Sequence, residues 1–196
     1  MRKLIAIEFL SVDGVMQGLG SPDEDREGGF EHGGWGAPYA AGIHSSTSSG
    51  GLDGTTAYLF GRKTYEKMSA YWPYVPDDNP MAAHLNSTPK YVATTTVSAF
   101  DWQQTSALEG DVLQAVRTLK LTGDGDIAIL GSGVLVRSLL NEGLLDSLRL
   151  FIHPLLLGSG KRLFGALDLP CSLTLTNCST TSMGSVALSY DIGLSQ

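Results

Sequence analysis

Two short apolar segments of this chain each run directly into a glycine and then into a helical pattern. Residues 57–60 lead into Gly61, and residues 127–130 lead into Gly131. A glycine at such a junction lets a ligand approach the backbone closely, and the first turn of the following helix offers unpaired N–H groups to an anion. Two junctions of this kind on one sheet predict a ligand with more than one phosphate.

The two junctions differ in charge. Arg62 and Lys63 follow the first glycine, where they either neutralise a phosphate or lie solvated at the start of a helix. Positive charge is unfavourable at a helix N-terminus unless an anion binds there, which favours phosphate contact. The second junction, Gly131-Ser132-Gly133, adds no charge and fits the closer approach of a pyrophosphate. A phosphorylated dinucleotide is therefore the natural candidate ligand.

Strand and helix patterns alternate through the first two thirds of the chain. Strands are predicted near 3–9, 56–60, 90–95 and 126–130. Apolar residues then recur at helical spacing in three stripes: Tyr65, Met68 and Trp72; Val112, Val116 and Leu119; and Leu135 and Leu139. Gly143 is placed to end the last of these helices. The alternation predicts an α/β fold with a mixed, mainly parallel central sheet flanked by helices.

The C-terminal third has a different pattern. Apolar and other residues alternate over 148–153 and 186–192, as expected of strands with one face buried and the other less so. Residues 171–178 also have strand character. These segments predict an antiparallel C-terminal portion joined to the parallel sheet.

Length and charge exclude several classes of protein. The 196 residues fit one domain, 1–196, and 20 acidic against 13 basic residues give a net charge of −7. The basic residues form no run, which argues against a nucleic-acid partner. No apolar stretch approaches the ~20 residues of a membrane-spanning helix, so we expect a soluble, cytoplasmic protein with no membrane partner.

Neither cysteines nor histidines form a metal or redox motif. Cys171 and Cys178 lack CxxC spacing and would face opposite sides of one strand, so we expect two reduced, structural thiols. The four histidines are isolated from one another, and we expect no metal site: His32, His44, His84 and His153.

Two long irregular stretches interrupt the pattern, at 11–36 and 44–54. Loops of this length in a compact domain are commonly functional or disordered. The first contains Trp35 among glycines and charged residues, which favours a loop that covers substrate, with Trp35 facing either the substrate or a second subunit. The second stretch is equally well explained as a plain connection.

Four segments together resemble a known family: 11–15, 60–66, 131–133 with the following helix, and 146–164. In order and spacing they resemble the dihydrofolate reductase-like superfamily, in the branch of the C-terminal reductase domain of the bifunctional riboflavin-biosynthesis deaminase/reductase. The resemblance covers nearly the whole chain. It implies an NADPH-dependent reductase, a small-molecule substrate and a homodimer.

The resemblance also assigns roles to individual residues. It implies that Gly61, Arg62, Lys63 and Thr64 approach the 2′-phosphate or pyrophosphate of NADPH, and that Thr94, Thr95 and Thr96 lie along the adenine ribose. The pyrophosphate would be held by Gly131, Ser132, Gly133, Val134 and Leu135. The nicotinamide and substrate end would be lined by Asp13, Gly14 and Val15. Asp13 either takes part in catalysis or simply caps the turn before Gly14.

Two departures from the family limit the choice of reaction. Dihydrofolate reductases use an acidic residue on the helix after the mobile loop, whereas residues 37–44 contain no acid. This argues against folate reduction, although Asp13, Glu31 or Asp53 remain candidate proton donors. The zinc-ligand set of the riboflavin deaminase domain is also missing, so we expect no deaminase activity.

Two functions remain open at this point. The first is hydride transfer to a small heterocycle, either 5-amino-6-(5-phosphoribosylamino)uracil of riboflavin biosynthesis or a different compound. In such a reaction the cofactor carries the difficult chemistry, so the lack of an obvious acid does not exclude activity. The alternative is a non-catalytic NADP(H)- or ligand-binding module, which would bind NADPH without consuming it.

Overall fold

The computed structural model describes residues 1–40, 42, 52, 54–165, 168 and 170–193. Its strands are β1 (Leu4–Ser11), β2 (Thr55–Gly61), β3 (Lys90–Ala93), β4 (Thr105–Ala107), β5 (Asp126–Leu130), β6 (Ser147–His153), β7 (Leu173–Thr180) and β8 (Val186–Ile192). Its α-helices are α1 (Arg62–Ser69), α2 (Pro80–Ser87), α3 (Val112–Leu121) and α4 (Gly133–Asn141). Short 3₁₀ turns occupy Glu27–Gly29, Ala37–Tyr39 and Trp72–Tyr74.

All the described strands form one sheet in the order β4-β3-β2-β5-β1-β6-β8-β7. The first six strands in this order are parallel, whereas β8 runs antiparallel to both β6 and β7. The mixed, mainly parallel sheet with an antiparallel C-terminal portion is confirmed.

Alternate residues of the central strands supply two separate cores. Leu59, Ile127 and Ile129 join the α3 and α4 side chains on one face of the sheet. Tyr58 and Phe60 join Tyr65 of α1 and Leu85 of α2 on the other. The period of two along each strand thus places a helical layer on both faces, which is why the strand segments are apolar throughout.

Strand β6 corrects the expectation that one of its faces is less buried. Phe151 and His153 are only 5% and 0% exposed, as deeply buried as Leu148 at 1%. Packing partners on the sheet face account for this burial: Phe151 joins the core that contains Tyr58 and Phe60, and the rings of Tyr39 and Trp35 pack against His153.

Two helices also differ from the sequence pattern. The α1 helix ends at Ser69, and Trp72 belongs to a 3₁₀ turn because the proline that follows it disfavours α-helical geometry. The α2 helix was not predicted, although its start carries a clear signal. Asn79 accepts hydrogen bonds from the backbone N–H groups of Met81 and Ala82, and Pro80 occupies the first helical position.

The end of α4 follows the prediction. Gly143 has a φ of +62° and follows Glu142, the C-cap residue of α4, and the N–H of Leu144 donates to the carbonyl of Leu139. This left-handed glycine ends the helix in the expected way.

Candidate active site

The carboxyl ends of the parallel strands meet at one edge of the sheet. Strands β3, β2, β5, β1 and β6 are neighbours in that order, so the segments that follow them are adjacent. Four predicted segments lie along this edge: 94–96, 61–64, 131–135 and 13–15. In open α/β sheets this is the edge at which ligands bind.

The two glycine junctions are in direct contact. The backbone N–H of Gly61 donates to Ser132 Oγ at 3.0 Å, across 71 residues of sequence. A Cβ atom on Gly131 would lie 3.4 Å from Cγ2 of Thr64. The junctions therefore form one continuous surface at the ends of β2 and β5.

Left-handed backbone geometry shapes the second junction. Gly131 has a φ of +65°, and Ser132, the N-cap residue of α4, has a φ of +64°. A non-glycine residue in the left-handed region is uncommon and commonly marks a functional turn.

The next two residues of α4 differ in exposure. Val134 is 75% exposed, whereas Leu135 is 9% exposed and packs in the core. The side chain of Leu135 thus supports the helix, and any ligand contact at this position would involve its backbone.

Gly133 joins this junction to the loop after β1. A Cβ atom at Gly133 would lie only 2.4 Å from Sδ of Met16, closer than real atoms approach. The glycine therefore leaves room for the Met16 side chain, which would have to shift if a Cβ atom were present.

Both cations of the first junction are paired with carboxylates. Arg62 Nη1 lies 2.8 Å from Glu66 Oε1, and Lys63 Nζ lies 2.9 Å from Glu27 Oε2. Exposed pairs of this kind contribute only about 0–1 kcal/mol, so a phosphate can compete for them. The predicted phosphate contact of Arg62 and Lys63 stays a prediction.

The threonines after β3 form a turn at the same edge. Thr94 Oγ1 accepts hydrogen bonds from the N–H groups of Thr96 and Val97. The side chains of Thr95 and Thr96 are exposed. Their hydroxyl groups are thus accessible to a ligand along the edge.

Asp13 links two loops through its carboxylate. Its oxygens accept hydrogen bonds from Ser11 Oγ and from the N–H groups of Leu157 and Gly158. The bond from Ser11, followed by those from the backbone, lowers the pKa of Asp13 to about 2. An ionised acceptor cannot donate a proton near neutral pH, and this geometry favours the turn interpretation, assisted by Gly14 at a φ of +80°.

Val15 and Trp35 belong to a small apolar cluster beneath the loop after β1. Both pack with Phe30 and are 0% and 8% exposed. The indole N–H of Trp35 donates to the carbonyl of Gln17 at 2.7 Å. These two residues therefore hold the loop against the sheet edge, and their contact with substrate stays a prediction.

Ion pairs fix the outer part of the same loop. Lys161 Nζ lies 2.6 Å from Glu27 Oε2 and 2.8 Å from Asp25 Oδ2. Glu27 also meets Lys63 of the first junction, and hydrogen bonds from Lys161 and Lys63 lower its pKa to about 2. The loop over 11–36 is thus linked electrostatically to the predicted phosphate contact.

Two buried polar residues near this edge were missed as site candidates. Glu8 of β1 is 1% exposed, its Oε1 has no hydrogen-bond partner among the described residues, and burial raises the pKa of its carboxyl well above the usual value. His153 ends β6 with its Nε2 similarly unpaired. The sequence feature that could have identified both residues is a polar side chain within an otherwise apolar strand segment.

Three further residues named in the sequence analysis are Glu31, Asp53 and His44. Glu31 is exposed on the loop. Asp53, His44 and most of the 44–54 stretch lie outside the described residues. Across the described ranges no helix is long and apolar enough to span a membrane.

Comparison with known families matches residues 2–187 to the RibD C-terminal domain. The chain belongs to this family. An uncharacterized protein from Bacillus subtilis, YyaP, is 33% identical over 135 residues, which cover 67% of this chain and 71% of that protein. The dihydrofolate reductase-like resemblance of the sequence is confirmed.

Solved structures share the fold at low sequence identity. A putative riboflavin biosynthesis protein from Shewanella sp. PV-4 has a TM-score of 0.68 at 18% identity, with 98% of this chain and 99% of that chain covered. A pyrimidine reductase-like protein from Corynebacterium diphtheriae has a TM-score of 0.62 at 16% identity, covering 99% and 93%. Dihydrofolate reductase from Enterococcus faecalis has a TM-score of 0.54 at 15% identity, covering 98% and 97%.

Proposed function

We propose that this protein is an NADPH-dependent reductase that transfers a hydride to a small heterocyclic substrate. The observation that carries the proposal is the contact between the Gly61 and Ser132 junctions at the carboxyl edge of the sheet. Together they present two helix starts and two cations to a ligand with several phosphates. Membership of the RibD C-terminal domain family supports the same conclusion.

The names of related structures support this class of reaction. One neighbour is named a pyrimidine reductase-like protein, and the dihydrofolate reductase from Enterococcus faecalis is complexed with NADP(H). RibD of Acinetobacter baumannii also shares the fold, with a TM-score of 0.60 at 14% identity, covering 99% of this chain and 59% of that chain. The reduction of 5-amino-6-(5-phosphoribosylamino)uracil is therefore a candidate reaction, alongside reduction of a different heterocycle.

The residues at the edge fit a dinucleotide cofactor. Gly131, in its left-handed turn just before α4, carries no side chain, so a pyrophosphate can approach the backbone there. NADPH would supply the hydride. Arg62 and Lys63 would bind its phosphates, the exposed Thr95 and Thr96 would lie along the ribose, and the loop after β1 would exclude water from the reacting ring.

A non-catalytic NADP(H)-binding module is the second candidate, and one observation favours it. Asp13, the acidic residue among those predicted to line the nicotinamide end, is held ionised by its hydrogen bonds and is unsuited to donating a proton. The two candidates differ in turnover. A reductase oxidises NADPH when an acceptor is present, whereas a binding module leaves the absorbance at 340 nm unchanged with every acceptor.

Charge removal at the first junction tests the cofactor assignment. We expect Arg62→Ala combined with Lys63→Ala to weaken NADPH binding by about tenfold or more and to affect NADH less, because only NADPH carries a 2′-phosphate. The matched control is Lys3→Ala with Arg117→Ala, which removes two exposed cations paired elsewhere, with Asp191 and Glu142. Equal losses for both cofactors in calorimetric titrations would refute the 2′-phosphate assignment.

A further inference from the structure

His153 is buried at the carboxyl end of β6 with one ring nitrogen unpaired. The side chain is 0% exposed, and its Nδ1 lies 2.7 Å from Ser185 Oγ. Its Nε2 is also buried and has no hydrogen-bond partner among the residues that the structure describes. Leaving such a group unpaired costs free energy, and a ligand that supplies the partner recovers it.

The contact with Ser185 determines which nitrogen carries the proton. Ser185 is itself 0% exposed, and no other acceptor for its hydroxyl is present among the described contacts. Donation from the Ser185 hydroxyl to Nδ1 pairs both groups at once, whereas the reverse arrangement would leave the hydroxyl hydrogen without an acceptor. We therefore assign the proton of His153 to Nε2, which makes the unpaired atom a donor.

Three aromatic rings surround this imidazole. Tyr39 stacks on it at 4.7 Å between ring centroids, Phe9 lies nearly parallel to it at 6.2 Å, and Trp35 meets it at 71° and 5.7 Å. An aromatic ring is only a weak acceptor for an N–H group. The Nε2–H group of His153 would therefore bond to a carbonyl oxygen in preference to the ring of Trp35. The surroundings suit a flat ring that stacks and hydrogen-bonds at its edge.

The position of His153 places it next to the candidate site. It pairs in register with Ser11 of β1, two residues before Asp13. Burial lowers the pKa of His153 to about 4, so the imidazole is neutral under physiological conditions. A neutral donor among aromatic rings suits an uncharged carbonyl better than a carboxylate or a phosphate.

We propose that His153 is a specificity-determining residue, whose Nε2–H donates a hydrogen bond to a ring carbonyl of a planar, uncharged heterocycle that stacks among Phe9, Trp35 and Tyr39. This inference rests on the proposed function, since it names the chemistry of the substrate ring. Tyr39 is only partly buried. Because Nε2 is itself buried, the proposal includes a movement of this ring away from the imidazole that admits the heterocycle.

A matched pair of probes tests the proposal in the full-length protein. Quinazoline-2,4-dione and quinazoline share one fused ring system, but only the dione carries ring carbonyls. With NADPH present, we expect the unsubstituted protein to bind the dione about tenfold more tightly than quinazoline. His153→Phe keeps an aromatic ring and should abolish this preference, whereas His153→Gln, with an amide N–H at a similar reach, should retain part of it.

Controls separate this inference from the proposed function and from misfolding. His32→Phe alters an exposed histidine that contacts Phe30, and should leave the dione preference unchanged. In ¹⁵N NMR spectra, the Nε2 resonance of His153 should shift on adding the dione and stay unchanged with quinazoline. Absence of a dione preference in the unsubstituted protein, or its persistence in His153→Phe, overturns the inference. If NADPH binds normally in the same preparation, the proposed function survives that result.

Discussion

At the scale of single residues, the burial of His153 couples folding to pH. Its pKa is about 4 in the folded protein against 6.5 for an ordinary histidine, because burial disfavours the charged imidazole. Below pH 6.5 the unfolded chain therefore binds a proton that the folded protein does not. We expect the free energy of unfolding to fall as the pH drops from 6.5 to 4, by about 3 kcal/mol from this group.

Urea unfolding at a series of pH values measures this effect. His153→Phe cannot take up a proton and should lose this contribution to the pH dependence, whereas His32→Phe at an exposed position should retain it. An identical pH dependence in His153→Phe and in the unsubstituted protein would show that the imidazole is not held neutral by burial.

The residue scale is also where sequence reasoning is weakest. The alternation along β6 correctly predicted a strand but placed His153 on a less buried face. Glu8 was not identified as a site candidate, although it is a charged residue within an apolar strand. Whether a strand residue is buried depends on which strands and loops cover it, and the covering aromatic rings, Trp35 and Tyr39, come from a distant loop.

At the scale of elements, Ser132 joins two strand-to-helix turns. Its Oγ accepts the hydrogen bond from Gly61, while its left-handed backbone is unfavourable for a residue with a side chain. We expect Ser132→Ala to lower the free energy of unfolding by about 1 kcal/mol, because the bond is lost and the backbone strain stays.

Ser132→Gly provides the matched comparison. It loses the same hydrogen bond but relieves the left-handed strain, so it should be more stable than Ser132→Ala by about 1 kcal/mol. Denaturant unfolding of both variants measures the difference. If Ser132→Gly were the less stable of the two, the strain at this turn would not exist.

Sequence reasoning was strongest for these elements. An apolar segment that ends in glycine and is followed by helical spacing is a local signal, and it located β2, β5 and α4. Their contact was not derivable in this way, because Gly61 and Ser132 meet only when β5 inserts between β2 and β1 in the sheet. The short β4 strand, with three residues, carries too little pattern to be recognised.

At the scale of the whole molecule, β7 forms an exposed edge of the sheet. Every residue of Leu173–Thr180 is exposed, including Leu173 at 41% and Leu175 at 52%. Unpaired strand edges with apolar side chains favour association with another chain. Homodimerisation stays a prediction, and β7 is the surface that we expect to carry it.

Sedimentation of the purified protein tests this surface. We expect a dimer that dissociates in Leu175→Lys. If the β7 edges of two subunits pair, this substitution places a charged lysine in the contact between them, which disfavours edge-to-edge association. The control is Leu121→Lys at the end of α3, where the leucine is 72% exposed and is not part of the β7 edge. A monomer at all concentrations, or a dimer unaffected by Leu175→Lys, would contradict this role of β7.

The proposed function requires the two glycine junctions to form one binding site for a phosphorylated dinucleotide. Calorimetric titration of the purified, full-length protein with NADPH and, separately, with NADH tests it most directly. We expect saturable binding of NADPH that is about tenfold tighter than that of NADH, because the proposed site has Arg62 and Lys63 bind the 2′-phosphate. Heats of dilution alone with both cofactors would contradict it, and would mean that the junctions serve only packing.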